Sequence, residues 1–369
     1  MKILYVTTIG ATMCFFEKFI QELISEGHTI DIATNNTVDK VPNVYLELGC
    51  KIYQVDCCRS PLHKNNLIAV KQIKKIVENN QYDIVHCHTP VAAMCTRAAC
   101  LNVRKKGTKV IYTAHGLHFY KGAPLINWLV FFPIEWLCSW WTDAIVLINK
   151  EDYQLTKRCF GVRKCVRIPG VGIDLKRFDL SGFDRSAYRE KIGIREDDIL
   201  ILSVGEVNKN KNHQLVIRAI AQINNPRIKY YIAGVGTMIE ENEKLADELG
   251  IGNNVHFLGF RSDIAELDTS SDVFAFPSIR EGLGLASIEA LACGTPVVGM
   301  NTRGINEYVI NGQTGYKFDN TTDSCVNAIK QCLDMINEDG NYAERCKKIA
   351  QGYSHVITFE IVKGLYNEC

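Results

Sequence analysis

The feature that most constrains the fold is a repeated alternation of short apolar runs with segments of helical spacing. In the first half, residues 3–7, 29–34 and 84–86 are apolar runs of strand length, and residues 15–26 and 64–79 carry apolar side chains at helical intervals. An apolar run bounded by polar residues indicates a buried strand, and a 3.6-residue period indicates a helix. Repeated β-α alternation predicts a parallel, doubly wound α/β sheet.

The alternation is interrupted once and then starts again. Residues 169–174, Pro-Gly-Val-Gly-Ile-Asp, separate the two series, and strands are next predicted at 199–204, 229–233, 255–258, 273–276 and 296–299. A chain of 369 residues is also too long for one ordinary core. We therefore predict two Rossmann-like domains, residues 1–170 and 171–353. Parallel sheets bind ligands at the carboxyl ends of their strands, so we expect a ligand in a cleft between them.

Composition indicates a cytoplasmic protein. The chain has 47% hydrophobic and 22% charged residues, and its 15 cysteines include no C-x-x-C pair. Reduced thiols, most of them buried, are the favoured interpretation. The amino-terminal apolar run is too short for a signal peptide, and no segment reaches the length of a membrane-spanning helix.

Charge is divided unevenly along a chain of net charge +1. Residues 1–170 hold 21 Lys and Arg against 13 Asp and Glu, a net +8, and residues 171–369 hold 21 against 28, a net −7. A basic half could face an anionic surface, although a solvated surface without function explains it nearly as well. No basic stripe interleaved with aromatic residues occurs, so nucleic acid is not an expected partner.

Two carboxylates stand eight positions apart in residues 281–289, E-G-L-G-L-A-S-I-E. The segment follows a predicted strand and precedes a helix, and its glycine-rich turn leaves backbone N–H groups able to face an anion. Glu281 and Glu289 would then accept hydrogen bonds from hydroxyl groups on either side of a phosphate. A nucleoside diphosphate sugar has that layout. The spacing alone is explained at least as well by a capped loop between strand and helix.

Further candidates follow other strands of the second domain. Gly205 begins a loop that carries Lys211, whose ammonium could reach a phosphate as a point charge. Arg280, directly before Glu281, is a second candidate for the diphosphate. Phe260 and Arg261 follow the strand at 255–258 and could offer backbone groups and a platform for a base. A solvated loop or a turn explains each of these equally well.

In the first domain the candidates are one glycine and three histidines. Gly10 follows the first strand, where a ligand could approach the backbone, and His86, His88 and His115 lie at or just past strand ends. Histidines there can bond sugar hydroxyls or transfer protons. For any single one, a structural histidine is the better interpretation, and the case for function rests on all three facing one cleft.

Over essentially its whole length, the chain resembles the family 4 retaining glycosyltransferases of the GT-B fold. Residues 276–298, FPSIREGLGLASIEALACGTPVV, look like the family's E-x7-E signature with its flanks. Supporting matches are residues 83–90 (DIVHCHTP), 113–116 (TAHG) and 255–259 (VHFLG), and residues 168–174 look like the family's linker. The carboxyl-terminal segment 354–369 resembles the helix that crosses back onto the first domain.

The resemblance implies a role for each candidate. The first domain would bind the acceptor and the second the donor. Glu281 would bond hydroxyls of the donor hexose and Glu289 those of the ribose, while Lys211 would neutralise the diphosphate. Gly10 would also belong to the nucleotide-sugar site. The diphosphate and sugar would face the backbone amides of Gly282, Leu283, Gly284 and Leu285. The base would meet the backbone near Phe260 and Arg261. His115 would contact the donor sugar or the acceptor, with His86 and His88 as weaker acceptor candidates.

Two departures from the family pattern bear on these roles. The family usually has Arg after the glycine of the loop at Gly205, and here Glu206 stands there. This makes Arg280 a substitute candidate for the diphosphate. The glycine pair expected after the first strand is reduced to Gly10, so acceptor contacts in that loop are the least secure.

The resemblance implies transfer of a hexose or N-acetylhexosamine with retention of configuration, and the chain looks like enzymes of bacterial capsule and exopolysaccharide synthesis. UDP is the commonest nucleotide in such families. No D-x-D occurs, so we expect no metal, and the nucleotide sugar would be a substrate, with no cofactor. The aromatic segment 128–141 has the composition of a core helix, but with the basic half it suggests contact with the cytoplasmic membrane face and a lipid-linked acceptor.

Three other functions remain open on the residues alone. A nucleotide-sugar epimerase shares the fold, but the E-x7-E segment favours transfer. A two-domain sugar-binding protein would need an export signal and would not need Lys211. A nicotinamide dehydrogenase is the weakest, because no G-x-G-x-x-G opens either domain.

Overall fold

The structure is a computed structural model that describes residues 1–37 and 39–368. The chain divides into two units. The first contains Met1–Val171 and the carboxyl-terminal segment from His355, and the second contains Gly172–Ser354. The division after Val171 lies inside the predicted interruption at residues 169–174.

A seven-stranded parallel sheet forms the centre of the first unit, with strand order β3-β2-β1-β4-β5-β6-β7. Most residues of the central strands are buried, as expected for a sheet covered by helices on both faces. The register between β1 and β2 shifts near the carboxyl end of β1, between Val6 and Ile9. The strands are β1 (Lys2–Ile9), β2 (Thr29–Asn35), β3 (Ile52–Gln54), β4 (Ile84–His88), β5 (Lys109–Ala114), β6 (Ala144–Leu147) and β7 (Lys164–Arg167).

Helices connect these strands, and one further helix from the end of the chain belongs to the same unit. Its buried residues include Phe359, Val362 and Leu365, so an apolar stripe holds it on the unit. The helices are α1 (Glu17–Ser25), α2 (Val44–Glu47), α3 (Asn65–Asn80), α4 (Pro90–Ala99), α5 (Leu101–Arg104), α6 (Leu125–Ser139), α7 (Lys150–Cys159) and, at the end of the chain, α15 (His355–Glu368). None of the helices in the described residues is long and apolar enough to cross a membrane.

The second unit is built on a six-stranded parallel sheet of order β10-β9-β8-β11-β12-β13. Its strands are β8 (Ile199–Val204), β9 (Ile228–Ala233), β10 (Val255–Gly259), β11 (Val273–Phe276), β12 (Val297–Met300) and β13 (Gly315–Phe318). Its helices are α8 (Arg185–Lys191), α9 (His213–Ile223), α10 (Ile239–Glu248), α11 (Ile264–Ser270), α12 (Leu285–Ala292), α13 (Thr322–Glu338) and α14 (Tyr342–Gln351).

The predicted fold class, two Rossmann-like parallel-sheet units, is confirmed, with local differences. The first helix was expected from residue 15, but Gly10–Phe16 form a 3₁₀ helix and α1 begins at Glu17. The sequence pattern also gave no sign of β13 or α8. The β13 sequence, GYKF, opens with a glycine and contains a lysine. It is a strand because its backbone pairs with β12, with Gly315 opposite Val297.

Candidate active site

The strand order of the second sheet reverses between β8 and β11. From β8 the chain proceeds to β9 and β10 on one side, and from β11 to β12 and β13 on the other. The loops that follow β8 and β11 therefore diverge at the carboxyl edge, which is where parallel sheets bind ligands. These two loops, residues 205–212 and 277–284, hold most of the predicted donor-site residues.

An ion pair joins the two loops. Nζ of Lys211 lies 3.0 Å from Oε2 of Glu281, and each side chain is 21% exposed. The same ammonium lies 4.6 Å from the ring centre of Phe276, the last residue of β11. The structure thus brings together two residues that the sequence separates by 70 positions, with charge of both signs within reach of a ligand.

Asn210 fixes the distance between the loops. Its side-chain amide donates to the carbonyl of Arg280 at 3.0 Å, and its Oδ1 accepts from the backbone N–H of Arg280 at 3.1 Å. Its own carbonyl accepts from the N–H of Ile279 at 2.8 Å. Three hydrogen bonds from one residue hold the segment before Glu281 in place, which orients the carboxylate toward Lys211. The sequence gave no signal for this residue.

The glycine-rich turn is shaped by close packing. Gly284 has φ +86°, and a Cβ there would lie 2.7 Å from Cε1 of Phe276 and 2.8 Å from the hydroxyl of Tyr308. That hydroxyl donates to the carbonyl of Leu283 at 2.8 Å. Only glycine fits this position, and α12 starts at the next residue, Leu285.

The amides of this turn differ in what they can offer an anion. The N–H of Gly282 donates to Oε1 of Glu281 at 3.2 Å, so it orients the carboxylate in this structure. Leu285 is the first residue of α12, where helical N–H groups lack intrahelical partners. The predicted contact of all four amides with a diphosphate stays a prediction.

Two arginines lie near Glu281. Arg280 is exposed, and the described residues give its guanidinium no hydrogen bond or ion pair. Arg303, in the loop after β12, is half-buried, and its Nε donates to the carbonyl of Glu281 at 3.2 Å. Arg303 was not among the residues predicted for the site. Its position just past the carboxyl end of a predicted strand was the one available signal.

Glu289 lies on α12, half-buried. Burial raises the pKa of this carboxyl, and the nearby guanidinium of Arg177 opposes the rise. The fully buried Asp268 on α11 lies close enough that the Glu289 charge adds to burial in raising the pKa of Asp268. The role of Glu289 at the ribose hydroxyls stays a prediction.

Phe260 and Arg261 follow β10 and have different environments. Phe260 is 84% exposed, so its ring is open to a planar ligand. The guanidinium of Arg261 is bound to Asp263, with Nε 2.8 Å from Oδ1, and Nη2 donates to the hydroxyl of Tyr188 at 3.4 Å. The Arg261 side chain is therefore committed to the fold, which leaves its backbone for the predicted base contact.

Gly205 has a structural reason for its identity. Its φ is +142° and its carbonyl oxygen lies 1.8 Å from where a Cβ of Gly234 would stand, so the loops after β8 and β9 meet at two glycines. A Cβ on Gly205 would lie 3.4 Å from Cε of Lys211, which places this glycine beside the ammonium chain. Glu206, at the position of the family arginine, is exposed.

In the first unit the strand order reverses between β1 and β4, and Gly10 lies just past β1. A Cβ at Gly10 would lie 2.2 Å from the carbonyl oxygen of Asp39 and 2.6 Å from the nitrogen of Val41. The backbone that approaches Gly10 is therefore the chain's own. After β4, Thr89 has φ +65°, which is unusual for a β-branched residue, and its Oγ1 lies 2.6 Å from that of Thr8.

His86 is committed to the interior. Nε2 lies 2.7 Å from Oγ1 of Thr113, and Nδ1 lies 2.5 Å from the hydroxyl of Tyr366 on α15. That hydroxyl in turn lies 2.8 Å from the hydroxyl of Tyr5. Burial lowers the pKa of His86 to about 3, so its imidazole is neutral. With both nitrogens bonded, His86 joins β4 and β5 to α15 and is not placed to bind an acceptor hydroxyl.

His115 is the half-buried member of the cluster, and His88 is 2% exposed. Nδ1 of His88 lies 3.2 Å from Nε2 of His115, and burial lowers the pKa of His115 to about 4. The rings of His88 and Phe16 pack with centres 4.3 Å apart. A small cavity of about 20 Å³, room for roughly one water, is lined by both histidines and by Phe15, which is 59% exposed.

Two family models match the chain. The model described as "Glycosyl transferase 4-like" matches residues 2–149, and the model described as "Glycosyl transferases group 1" matches residues 184–352. The two matches fall on the first and second units respectively. The second includes Lys211, Glu281 and Glu289.

Relatives and solved structures agree with these matches. A Bacillus subtilis protein named putative glycosyltransferase EpsD is 37% identical over 323 residues, 85% of this chain and 82% of that protein. A UDP-Gal:α-D-GlcNAc-diphosphoundecaprenol α-1,3-galactosyltransferase of Escherichia coli is 27% identical over 321 residues, 84% of this chain and 81% of that protein. The crystal structure of Anabaena HepE in complex with UDP superposes with a TM-score of 0.84 at 18% identity, covering 100% of both chains.

The fold-level likeness and the sequence relatives lead to the same assignment. The two parallel sheets match those of GT-B structures. Assignment to this family favours transfer over the epimerase, binding-protein and dehydrogenase alternatives. The chain belongs to the family 4 glycosyltransferases and is a glycosyltransferase that uses a nucleotide sugar.

Proposed function

We propose that the chain transfers a hexose or N-acetylhexosamine from a UDP-sugar to a hydroxyl of a lipid-linked glycan, with retention of configuration and without a metal, in the synthesis of a surface polysaccharide. The observation that carries the proposal is the Lys211–Glu281 pair at the carboxyl edge of the second sheet. An ammonium and a carboxylate 3.0 Å apart suit a ligand with a diphosphate next to a hydroxylated ring.

In the proposed reaction, the bond between the anomeric carbon and the diphosphate oxygen breaks while a bond to the acceptor oxygen forms on the same face. The departing phosphate oxygen takes the proton of the acceptor hydroxyl. Lys211 neutralises the leaving diphosphate, and Arg280 has an exposed guanidinium that could assist. Fixed charges of this kind stabilise the charge that develops in the transition state. Glu281 holds the donor hexose through its hydroxyls.

The donor assignment rests on the relatives. The Escherichia coli relative is named for UDP-Gal, and HepE was solved with UDP. A thermal-shift comparison of UDP-, GDP-, ADP- and dTDP-sugars tests the choice, and we expect UDP-sugars to give the largest rise in melting temperature. A larger rise with another nucleotide would replace UDP in the proposal.

Retention and metal independence are tested with the same donor. We expect the anomeric proton coupling of the first-formed product, followed by NMR, to show the configuration of the donor. Activity should persist in excess EDTA, because Lys211 supplies the positive charge. An inverted product would contradict the same-face mechanism, and activity restored only by added Mg²⁺ or Mn²⁺ would contradict the metal-independent one.

The lipid-linked acceptor and membrane location are supported by α6 and by one relative. Leu125 and Leu129 on α6 are 80% and 73% exposed, and Trp140, directly after the helix, is 59% exposed, so part of this segment is not core. The Escherichia coli relative is named for an acceptor on diphosphoundecaprenol. We expect the protein to sediment with membranes at low salt and to be released at high salt. Free sugars that serve as well as lipid-linked ones would contradict this part of the proposal.

A further inference from the structure

An apolar groove lies on the first unit between α3 and α4. Its volume is about 380 Å³, within the range of small-molecule pockets. Leu67 and Val70 of α3 line one wall, and Met94 and Ala98 of α4 line the other. Leu62 and Leu67 are 82% and 71% exposed. Isolated exposed leucines are ordinary, but several that line one groove mark a binding surface.

Lysines lie along one side of this groove. Lys64 lines the end formed by residues 61–64, with His63 beside it. Leu67, Val70, Lys71 and Lys74 follow the i, i+3, i+4, i+7 spacing of one helix face. Residues 59–77 contain no Asp or Glu, and the next acidic residue, Glu78, pairs with Lys74 at 3.9 Å. An apolar groove with a one-sided positive rim is complementary to an amphipathic anion.

The loop that forms the upper end of the groove is held in place. Asn66, 4% exposed, donates from Nδ2 to the carbonyls of Ser60 and Pro61, at 2.8 and 3.2 Å. Its Oδ1 accepts from the N–H of Cys58 at 3.0 Å. Three hydrogen bonds to one buried amide define the position of Leu62, His63 and Lys64.

One wall of the groove is the helix that follows His88 in the chain. Each helix of a β-α unit begins at the carboxyl edge of the sheet, so α3 and α4 run in the same direction away from that edge. Pro90, the first residue of α4, is two residues after His88. Met94 and Ala98 then lie roughly 6 and 12 Å further along the helix, at 1.5 Å per residue.

We propose that this groove binds the polyisoprenyl chain of the acceptor, with its phosphate groups at Lys64 and His63 and its glycan directed toward His115. The proposal rests on the proposed function, because it assigns a place to the lipid of a lipid-linked acceptor. It accounts for two features together: the apolar walls suit the chain, and the ammonium of Lys64 at the end nearer the sheet edge suits the diphosphate that joins chain to glycan.

Farnesyl diphosphate is the probe, because it carries the chain and the diphosphate without any glycan. We expect calorimetry, without detergent, to show binding of farnesyl diphosphate at least tenfold tighter than of inorganic diphosphate or of farnesol. Leu67→Gln should weaken it about tenfold, the loss of one buried leucine contact. Lys64→Ala should weaken it by a similar factor and should reduce its dependence on salt.

Leu46→Gln is the matched control, since Leu46 is 60% exposed on α2 and does not line the groove. It should leave farnesyl diphosphate binding unchanged. Equal effects of Leu46→Gln and Leu67→Gln would overturn the proposal. So would farnesyl diphosphate that binds no more tightly than inorganic diphosphate.

A membrane surface is the other source of the same chemistry. Vesicles of phosphatidylglycerol should compete with farnesyl diphosphate if the groove takes up chains. The contrary result would be a protein that does not bind farnesyl diphosphate and whose vesicle binding is unchanged by Leu67→Gln. That result would assign the surface to the bilayer and overturn the proposal that the groove binds a polyisoprenyl chain. The thermal shift with UDP-sugars separates this failure from failure of the proposed function, because donor binding belongs to the second unit.

Discussion

Each unit contains an ion pair of similar geometry, and the two differ mainly in burial. In the first unit, Nη1 of Arg97 on α4 lies 2.8 Å from Oε2 of Glu135 on α6, and the side chains are 0% and 5% exposed. In the second unit, Nζ of Lys211 lies 3.0 Å from Oε2 of Glu281, and each side chain is 21% exposed. One pair joins two helices and the other joins two loops at the carboxyl edge of a sheet.

The difference indicates which pair can serve a ligand. Arg97 also donates from Nε to the carbonyl of Ala93 at 3.0 Å, and its guanidinium lies 4.5 Å from the ring centre of Tyr112. The guanidinium of Arg97 is bound only within the fold, and a ligand could replace Glu135 only if α6 separated from α4. Lys211 and Glu281 remain in contact with solvent. A diphosphate can therefore replace Glu281 as the partner of Lys211, and a sugar hydroxyl can replace Lys211 as the partner of Glu281. We therefore infer a structural role for the first pair and a donor-binding role for the second.

Breaking the buried pair should have the largest effect, and it should be on stability. Glu135→Ala leaves the Arg97 guanidinium buried without its counter-charge, which costs about 3–5 kcal/mol in comparable cases. We expect the free energy of unfolding in urea to fall by about that amount, while donor binding by the folded protein is retained. The double variant Arg97→Leu with Glu135→Leu should recover much of the loss, because apolar replacement of a buried pair is often neutral. If the free energy of unfolding fell by less than about 1 kcal/mol in Glu135→Ala, the structural role of the Arg97–Glu135 pair would be contradicted.

Breaking the Lys211–Glu281 pair should lower turnover and leave stability nearly unchanged. We expect Lys211→Ala to lower kcat at saturating donor by roughly 10²–10³-fold, the typical effect of removing one group that stabilises transition-state charge. The free energy of unfolding should change by about 1 kcal/mol or less, since exposed pairs contribute little. Lys209→Ala, exposed in the same loop, is the control and should behave like the unaltered protein. Unchanged turnover in Lys211→Ala would exclude the leaving-group role.

Glu281→Gln separates the hexose contact from the diphosphate contact. The amide keeps the shape of the carboxylate but loses the charge that strengthens hydrogen bonds from sugar hydroxyls, a loss of about 1.5–3 kcal/mol. Calorimetry should therefore show binding of the UDP-sugar weakened by roughly tenfold to a hundredfold, and binding of UDP alone changed much less. Glu206→Gln, exposed in the facing loop, is the control. Equal weakening of UDP and UDP-sugar would place Glu281 at the diphosphate.

Periodicity predicted the fold closely where apolar pattern and backbone pairing agree. The predicted bounds of β8 and β11 match the structure at both ends. Periodicity failed where tertiary contacts determine the backbone conformation. The 3₁₀ helix Gly10–Phe16 follows the close approach of residues 39–41 to Gly10, which no local pattern encodes.

For the candidate site, the sequence supplied residue types but not their partners. It nominated Lys211 and Glu281 separately, whereas their pairing depends on the reversal of strand order between β8 and β11. Asn210 and Arg303 were missed, because their contacts are to backbone groups near Glu281 that are far away along the chain. The three histidines were predicted as a group, but His86 and His88 are each 2% exposed, and only His115 is half-buried.

The smallest expected effect tests where the charge of the reaction resides. Burial holds the pKa of His115 at about 4, so only about a tenth of the imidazole is protonated at pH 5 and less above it. His115→Gln should then remove a neutral hydrogen bond and slow transfer about five- to tenfold. The ratio of the rates of the two proteins should stay constant from about pH 5.5 to 8, measured at saturating donor and acceptor. A ratio that changes near pH 6.5 would show that a charged imidazole takes part.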